Sequence, residues 1–225
     1  MVLGSTAIGA AFGAVVPAPL HPIDRVYPLV TFDSAEGEPS AEDWAKAYPG
    51  ESFFANGVME AQDARTVFRM LADKDRLYVR IACAAPAADD MNDSVEFYVT
   101  QSGRPDFPCI AVILYEDGEE TVGLVRRART WWIAPEIFPL DETVIPREAR
   151  ATETGWEVSF SLPFDELDIP REGFRFNIAR GRGLAGVRGT RFAWCDLGGR
   201  MHCTSNQFNL YATAMPADED RKSVV

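Results

Sequence analysis

The sequence predicts an all-β fold, a two-sheet antiparallel β-sandwich of the jelly-roll or immunoglobulin-like kind with few or no helices. Segments of alternating polar and apolar residues recur along the chain, and turn-forming residues separate them. Helical periodicity is nearly absent from the same segments. A length of 225 residues fits one β domain, because sandwiches often exceed the usual domain size as a single unit.

Two pairs of segments have the pattern of β-hairpins. Residues 66–71 and 77–83 flank a short polar break, and residues 109–115 and 121–127 flank an acidic turn that contains a glycine. In residues 77–83 the residues at every second position are apolar, so we expect one face of that strand to pack in the core. Residues 109–115 are almost continuously apolar, which indicates a strand that is buried on both faces.

Two further strands follow in the second half of the chain. Residues 156–162 alternate between apolar and polar side chains, and residues 174–178 repeat the pattern. Between them, we expect a single helical turn over residues 163–167, because its first residue is a proline and proline is tolerated at a helix start. Arg180 falls in phase with the core-facing residues, so we expect it to close the edge of the core against a carboxylate or a carbonyl.

The two ends of the chain are set apart from the predicted domain, which covers residues 23–212. Residues 1–22 are apolar, rich in glycine and alanine, and uncharged up to His21. They resemble the hydrophobic part of a secretory signal without its basic start, and a disordered end is an equally good interpretation. They are too short to span a bilayer convincingly. Residues 213–225 are predicted to form a polar, frayed tail.

Charge and motif content argue against several classes of function. The formal net charge of -12 would repel a phosphate backbone, so nucleic acid is not expected as a partner. Residues 181–186 match the dinucleotide pattern G-x-G-x-x-G, but no helix pattern follows to hold a pyrophosphate. The chain has no Gly-x-Ser-x-Gly or His-Glu-x-x-His motif and only 2 histidines for acid–base chemistry. We therefore expect no enzymatic activity.

The cysteines leave the redox compartment open. Cys83, Cys109, Cys195 and Cys203 are too few and too scattered to indicate a disulfide framework, and no Cys-x-x-Cys pair indicates a zinc site. Cys195 and Cys203 lie close enough in sequence to bridge across a loop. The favoured alternative is that both are free, buried cysteines that pack as small hydrophobic residues.

The stretch NDSVEFYVT, residues 92–100, places a carboxylate within a strand-like apolar run. Strand parity sends the apolar side chains on either side of Glu96 to the core and leaves Glu96 and Tyr98 on the opposite face. We expect that face to look outward, with Asn177 on a comparable face of its own strand. Such a face could bind a polyhydroxyl compound, since a ring covers C–H surface and polar groups pair with hydroxyls. The alternative is a solvated sheet face with cross-strand charge pairs.

Six segments occur in the order of a known family. They are TVFRMLADKDRLYVRIAC, DSVEFYV, GWEVSFSLPFDEL, FRFNIARGR, FAWCD and QFNLYA, which run from about residue 66 to residue 212. In this order they resemble carbohydrate-binding module family 9-like domains, which are DOMON-related β-sandwiches. The more divergent residues 27–64 are expected to supply the leading strand and loops. The resemblance implies a sandwich that binds carbohydrate without cleaving it, and a secreted, periplasmic or cell-surface location.

The resemblance also implies a set of carbohydrate-binding residues. In the sugar-binding members a glycan end lies between two aromatic rings, with help from polar residues. Glu96 matches the glutamate of the DSVE-like strand, and Trp194 matches the aromatic residue after the FNIAR-like strand, with Asp196 beside it. Tyr98 and Asn177 complete the predicted site. Residues 87–91 contain no ring where the family has its other aromatic residue, and residues 109–113 are apolar where a basic residue is expected.

Other ligands and roles stay open as alternatives. Asp89, Asp90, Asn92 and Asp93 offer oxygen ligands that suit a structural calcium ion, although they lack the spacing of an EF-hand. No other cofactor is expected. A haem-binding electron-transfer domain would use the adjacent methionine and histidine at residues 201 and 202. The main competitor is a cell-surface interaction sandwich without sugar binding. The identity of the glycan and the oligomeric state are not determined by the sequence.

Overall fold

The computed structural model describes residues 25–33, 37–55, 58–85, 92–102, 108–116, 118–126, 136–141, 143–183, 190–195 and 212–217. Within these residues the chain forms 14 strands, one short α-helix and one 3-10 turn. The strands are β1 (Val26–Thr31), β2 (Phe54–Ala55), β3 (Val58–Met59), β4 (Thr66–Ala72), β5 (Arg76–Ala84), β6 (Asn92–Thr100), β7 (Pro108–Tyr115), β8 (Glu120–Arg126), β9 (Glu136–Pro139), β10 (Arg147–Thr152), β11 (Gly155–Pro163), β12 (Phe174–Gly183), β13 (Thr190–Ala193) and β14 (Ala212–Pro216).

The strands form two layers that share one strand. The first layer has the order β10-β11-β5-β4-β1, and the second has the order β1-β14-β12-β6-β7-β8-β9, with β13, β2 and β3 continuing from β12. Strand β1 pairs in parallel with β14 over residues 26–29 and with β4 over residues 30–31, so it passes from one layer to the other. The all-β sandwich is confirmed. Its sheet is mixed, because β1 makes parallel pairs where only antiparallel pairs were expected.

Both predicted hairpins are present. Strand β4 pairs antiparallel with β5, and β7 pairs antiparallel with β8. In the first turn the Asp73 carboxylate accepts hydrogen bonds from the backbone N–H groups of Asp75 and Arg76, both at 2.6 Å. In the second turn Gly118 has a φ of 90°, a backbone conformation that glycine adopts without steric cost. The turn chemistry therefore agrees with the strand pattern on each side of it.

The core lies between the two layers and is built from the alternating residues of the strands. Its buried members include Val79 and Ile81 from the first layer and Phe97 and Phe176 from the second. The Phe97 ring stacks on Phe176 at a centroid distance of 6.1 Å and meets Phe160 edge to face at 5.3 Å. Each such side chain contributes about 1.5–3 kcal/mol when it leaves water. The predicted core faces of residues 77–83, 156–162 and 174–178 are confirmed.

One helix, which the sequence pattern did not predict, packs on the outer face of the first layer. Helix α1 (Ala41–Lys46) begins with a capping box, in which Ser40 accepts from the Asp43 N–H and Asp43 accepts from the Ser40 N–H. Its buried residue, Trp44, packs with Tyr78 and Leu71. A single buried position in a helix this short produces no helical periodicity, which explains the omission.

Residues 163–168 form the connector expected between β11 and β12. The N–H of Leu167 donates to the carbonyl of Pro163 at 3.2 Å, and the N–H of Ile169 donates to the carbonyl of Phe164 at 2.9 Å. The predicted helical turn is thus present as a hydrogen-bonded turn that does not extend into a helix. Among the helices of the described residues, none has the length and apolar character needed to cross a bilayer.

Candidate functional site

Three of the predicted sugar ligands lie together on one face of the second layer. Tyr98 of β6 is the register partner of Asn177 of β12. Glu96 precedes Tyr98 by two residues on β6, and its register partner is Ala179. All three point away from the core that Phe97 and Phe176 occupy. The sequence assigned each side chain to a face but could not tell which strands were neighbours. The pairing of β6 with β12 brings the three groups together.

The expectation that this face looks outward is wrong. Glu96 and Tyr98 are each 1% exposed, and Asn177 is 0% exposed. Strand parity decides on which side of a sheet a side chain lies, but it does not decide whether that side is open to water. A buried carboxylate is stable only when it has hydrogen-bond partners. Tyr98 supplies one, since its hydroxyl donates to Glu96 Oε2 at 3.2 Å.

Asn177 has a structural role that its sequence pattern did not predict. Its side-chain Nδ2 donates to the carbonyl of Cys195 at 3.0 Å, and its Oδ1 accepts from the N–H of Cys195 at 3.0 Å. The same Oδ1 also accepts from the N–H of Ile178 at 2.9 Å. The amide therefore holds the backbone of the residue that follows Trp194. Asn177 acts on the predicted site by positioning this segment.

Trp194 lies on the other side of the sheet from Glu96. Its indole belongs to the core, where it stacks on Phe176 at a centroid distance of 5.5 Å and meets the Phe68 ring edge to face at 5.0 Å. Its Nε1 donates to the carbonyl of Glu51 at 3.0 Å. The tryptophan predicted as an open stacking platform is only 8% exposed. The predicted ligands thus divide between two sides of one sheet.

Sequence reasoning missed an aromatic residue on the same face as Glu96. Phe54 of β2 is the register partner of Ala193, Ala193 is the partner of Ala179, and Ala179 is the partner of Glu96. Side chains that are directly opposite in neighbouring strands share a face. This row therefore runs from a ring, across two alanines, to a carboxylate. Phe54 lies in the divergent segment, and only its aromatic character could have marked it.

The small residues of this face continue beside Tyr98. Ala111 of β7 is the partner of Tyr98, and Gly123 of β8 is the partner of Ala111. Glu96 lies between Ala179 and Ile113, and Tyr98 lies between Asn177 and Ala111, so Glu96 and Tyr98 are the largest polar groups of these rows. We call the residues Phe54, Ala193, Ala179, Glu96, Tyr98 and Ala111 the polar groove. It combines a ring with hydrogen-bonding groups on one face of the second layer.

The turn before β2 is strained where it meets the aromatic residues. Ser52 has a φ of 65°, a left-handed conformation that is uncommon outside glycine. The carbonyl before it, from Glu51, accepts from the Trp194 indole, and its own carbonyl accepts from Arg25 Nη1 at 3.4 Å. Backbone strain of this kind costs of order 1 kcal/mol and clusters at functional sites. It marks the turn whose carbonyls bind Trp194 and Arg25.

The calcium hypothesis fails for Asp93. Its carboxylate, which is 1% exposed, pairs with the guanidinium groups of both Arg180 and Arg182 and accepts from the Trp156 indole at 3.2 Å. Two guanidinium charges repel a divalent cation and replace it as the counter-charge. The described part of the chain holds no group of three or more acidic, cysteine or histidine side chains placed to bind a metal. Asp89 and Asp90 lie outside the described residues, and for Asn92 only the backbone is described.

The expectation for Arg180 is confirmed. It is 0% exposed, donates to Asp93 from Nε at 3.1 Å and from Nη2, and donates to the carbonyl of Ala64 at 2.6 Å. Glu60 lies 3.6 Å from Arg180 Nη1 and accepts from the backbone and hydroxyl of Thr66. Burial raises the pKa of Glu60, against the opposing effects of these partners. The five residues Glu60, Thr66, Asp93, Arg180 and Arg182 form the buried ionic cluster.

Two of the four cysteines, Cys83 and Cys195, are described with their side chains, and both are buried. Cys83 and Cys195 have free thiols, and burial raises the pKa of Cys195 to about 11. A thiol with a raised pKa carries little thiolate and is chemically inert. Cys203 lies outside the described residues, as do Asp196 of the predicted carbohydrate site and residues 201 and 202 of the haem alternative.

The fold is that of the family 9 carbohydrate-binding modules. No protein-family model matches the chain, and no curated protein matches it at a significant level. Among solved structures, a carbohydrate-binding module family 9 from Caldicellulosiruptor kristjanssonii, in complex with cellotriose, has a TM-score of 0.59 at 13% identity and covers 88% of this chain and 97% of its own. Another from the same organism, in complex with glucose, has a TM-score of 0.57 at 13% identity over 89% and 100%. A Bacteroides uniformis protein has a TM-score of 0.57 at 13% identity over 85% and 98%.

Proposed function

We propose that this protein is a non-catalytic carbohydrate-binding module that holds a glycan or a glycan end in the polar groove. The fold supports the proposal, since two solved structures with this fold are family 9 modules in complex with cellotriose and with glucose. The class of protein also favours a secreted, periplasmic or cell-surface location.

The row from Phe54 to Glu96 is the observation that carries the proposal. It places one aromatic ring and one carboxylate on the same face, with Ala193 and Ala179 between them. Adjacent strands are about 4.8 Å apart, so the two alanines leave a low section roughly 10 Å wide. That width suits one pyranose ring. Its C–H face would stack on Phe54, and its hydroxyls would donate to Glu96.

Tyr98 would set the orientation of the carboxylate. Its hydroxyl donates to Glu96 Oε2 and so holds the carboxylate in one orientation toward a sugar hydroxyl. Because both side chains are 1% exposed, a bound glycan must be accompanied by the opening of this face. The free energy of opening reduces the apparent affinity, so we expect binding that is weaker than the contacts alone would give.

Isothermal titration calorimetry with cellotriose and glucose tests the proposal. Glu96→Gln removes the charge from a buried hydrogen bond and should weaken binding roughly 10- to 150-fold, the factor for about 1.5–3 kcal/mol. Tyr98→Phe should weaken it by less, because it removes only the orienting bond. Tyr78→Phe is the matched control, since its hydroxyl also donates to a carboxylate, that of Asp73, at 3.0 Å in the other layer.

The result that contradicts the proposal is equal behaviour of the two tyrosine variants. If wild type binds a glycan and Tyr98→Phe, Tyr78→Phe and Glu96→Gln all bind it as tightly, the groove is not the site. If the wild type binds neither cellotriose nor glucose nor any glycan on a wider array, carbohydrate binding is rejected altogether.

The second candidate function is an interaction sandwich that has lost sugar binding. The burial of Glu96, Tyr98 and Asn177 to 1% exposure or less favours it, because these groups are then fixed parts of the fold. It predicts that Glu96→Gln lowers the free energy of unfolding while no glycan binds. Chemical denaturation of that variant, beside calorimetry of the wild type, separates the two candidates.

A further inference from the structure

The guanidinium of Arg25 lies against two aromatic rings at the strained turn. Its Cζ is 5.0 Å from the centroid of Trp194 and 5.6 Å from the centroid of Phe54. Distances below about 6 Å allow an attractive cation–π interaction. Phe54 is the aromatic end of the polar groove, so Arg25 lies directly at the rim of the proposed glycan site.

Arg25 covers the side of the Trp194 ring that would otherwise be open. Phe176 stacks on this ring at 5.5 Å with an angle of 24° between the ring planes. A guanidinium over the same ring at 5.0 Å cannot share that side, so it lies on the opposite one. The side chain of Arg25 therefore accounts for part of the low exposure of Trp194.

The polar interactions that keep the Arg25 guanidinium in place are weak. In the described part of the chain its polar partner is the Ser52 carbonyl at 3.4 Å, and no carboxylate pairs with it. Arg180, in contrast, has a carboxylate and a carbonyl partner. Burial lowers the pKa of Arg25, which means that its charge has lost hydration in this position. Moving back into water would restore that hydration.

The backbone of Arg25 is fixed while its side chain can turn away. Its carbonyl accepts from the N–H of Thr213 at 3.0 Å, and the next residue begins β1. The guanidinium is at the end of a long chain with several rotatable bonds. It can leave the two rings without a change in the strand. These are the properties of an occupant that a ligand can displace.

We propose that Arg25, which lies over the Trp194 ring and the Phe54 ring, is an internal occupant of the Phe54 end of the polar groove, and that a glycan binds Phe54 by displacing it. The proposal rests on the proposed function and adds its regulation. The guanidinium is flat and stacks as the C–H face of a pyranose would. Free and bound states therefore differ in the position of one side chain.

Acrylamide quenching of tryptophan emission reports on the first half of the proposal. The chain has 5 tryptophans, so the Trp194 signal is the difference between each protein and its counterpart that also carries Trp194→Phe. Arg25→Ala should raise the quenching of Trp194 clearly above wild type. Arg80→Ala is the matched control, because Arg80 lies 4.5 Å over Trp44 in the other layer. It should expose Trp44 and leave Trp194 unchanged.

Calorimetry with cellotriose reports on the second half. Arg25→Ala should bind roughly 2- to 5-fold more tightly than wild type, the factor for about 0.5–1 kcal/mol of cation–π contact that no longer competes. Arg80→Ala should bind as wild type does. Arg25→Gln, which keeps most of the packing without the charge, replaces Arg25→Ala if circular dichroism shows that the alanine variant does not fold.

The outcomes separate this proposal from the proposed function. Unchanged quenching of Trp194 in Arg25→Ala and Arg25→Gln overturns the covering role, whatever the protein binds. Increased quenching with equal or weaker glycan affinity overturns displacement and makes Arg25 an ordinary ligand contact. Increased quenching in proteins that bind no glycan in either form overturns both the proposed function and the displacement of Arg25 by sugar.

Discussion

Two arginines of the sandwich have opposite surroundings. Arg180 lies in the buried ionic cluster, where Asp93 and the carbonyl of Ala64 satisfy it and Glu60 lies 3.6 Å away. Arg25 lies over two rings, and its polar partner in the described residues is one carbonyl at 3.4 Å. The first is a charge that the fold requires. The charge of Arg25 is one that the fold accommodates but does not require.

The difference follows from how each guanidinium is compensated. A fully buried charge is stable only if opposite charge and hydrogen bonds replace its lost hydration, so its partners become costly to remove. A half-buried guanidinium on aromatic faces retains some water and gains about 0.5–2 kcal/mol from the rings. We therefore expect mutations to affect stability at Arg180 and ligand access at Arg25.

The largest expected effect is on Arg180. Arg180→Ala leaves the carboxylates of Asp93 and Glu60 buried beside only Arg182, and it should lower the free energy of unfolding by about 3–5 kcal/mol. Arg150→Ala is the matched control, because Arg150 pairs with Glu157 at 2.7 Å but is 57% exposed, and it should cost less than about 1 kcal/mol. Urea denaturation measures both. Equal losses would mean that the cluster is not structural.

A smaller loss is expected from Asn177→Ala. It leaves the N–H and the carbonyl of Cys195 without their amide partner in a buried position, which should cost about 1–3 kcal/mol. Thr143→Ala removes a comparable local bond to Asp141 on the surface and should change stability by less than about 0.5 kcal/mol. Thermal denaturation by circular dichroism compares them. A change below that of Thr143→Ala would reject the positioning role.

The next effect is a pH dependence at Glu60. Its pKa is raised above 4.5 by burial, so the folded protein binds this proton more tightly than the unfolded chain. Its contribution to stability is therefore fully present below pH 4.5 and is lost as the pH rises through the raised pKa. Glu60→Gln does not titrate. The stability of wild type relative to Glu60→Gln should fall with rising pH, and a flat or rising difference in urea titrations would contradict this.

The smallest expected effect on stability is at Arg25. Arg25→Ala removes a cation–π contact and one long hydrogen bond, and it should lower the free energy of unfolding by less than about 1 kcal/mol. The same urea series used for Arg180→Ala measures it. A loss as large as that of Arg180→Ala would mean that the two arginines contribute equally to the free energy of unfolding.

Several features could be read from the sequence because they depend on local rules. Alternation predicted the core faces around Val79, Phe97 and Phe176, and turn residues predicted both hairpins. The position of Arg180 in the alternation of its strand was enough to predict that it would meet a carboxylate or a carbonyl. Helix α1 was missed, since one buried residue makes no pattern, and the parallel pairing of β1 was missed because it joins distant segments.

The candidate site was predicted only in part. Glu96 and Tyr98 were assigned correctly to a face opposite the core, but that face proved to be closed. Phe54 was not foreseen because its relation to Glu96 passes through two alanines on two intervening strands. The role of Asp93 was misread, since its acidic neighbours in sequence resembled calcium ligands, whereas its partner Arg180 is 87 positions away.

The sequence by itself determined the period of each strand, the turn that ends it and the side of the sheet on which each residue lies. These properties follow from the backbone geometry of neighbouring residues, which any short segment carries with it. Only the tertiary structure decided which strands became neighbours, which face was closed and which charge met Asp93. Those outcomes depend on contacts between distant segments, where burial and the pairing of charges are settled by the assembled layers.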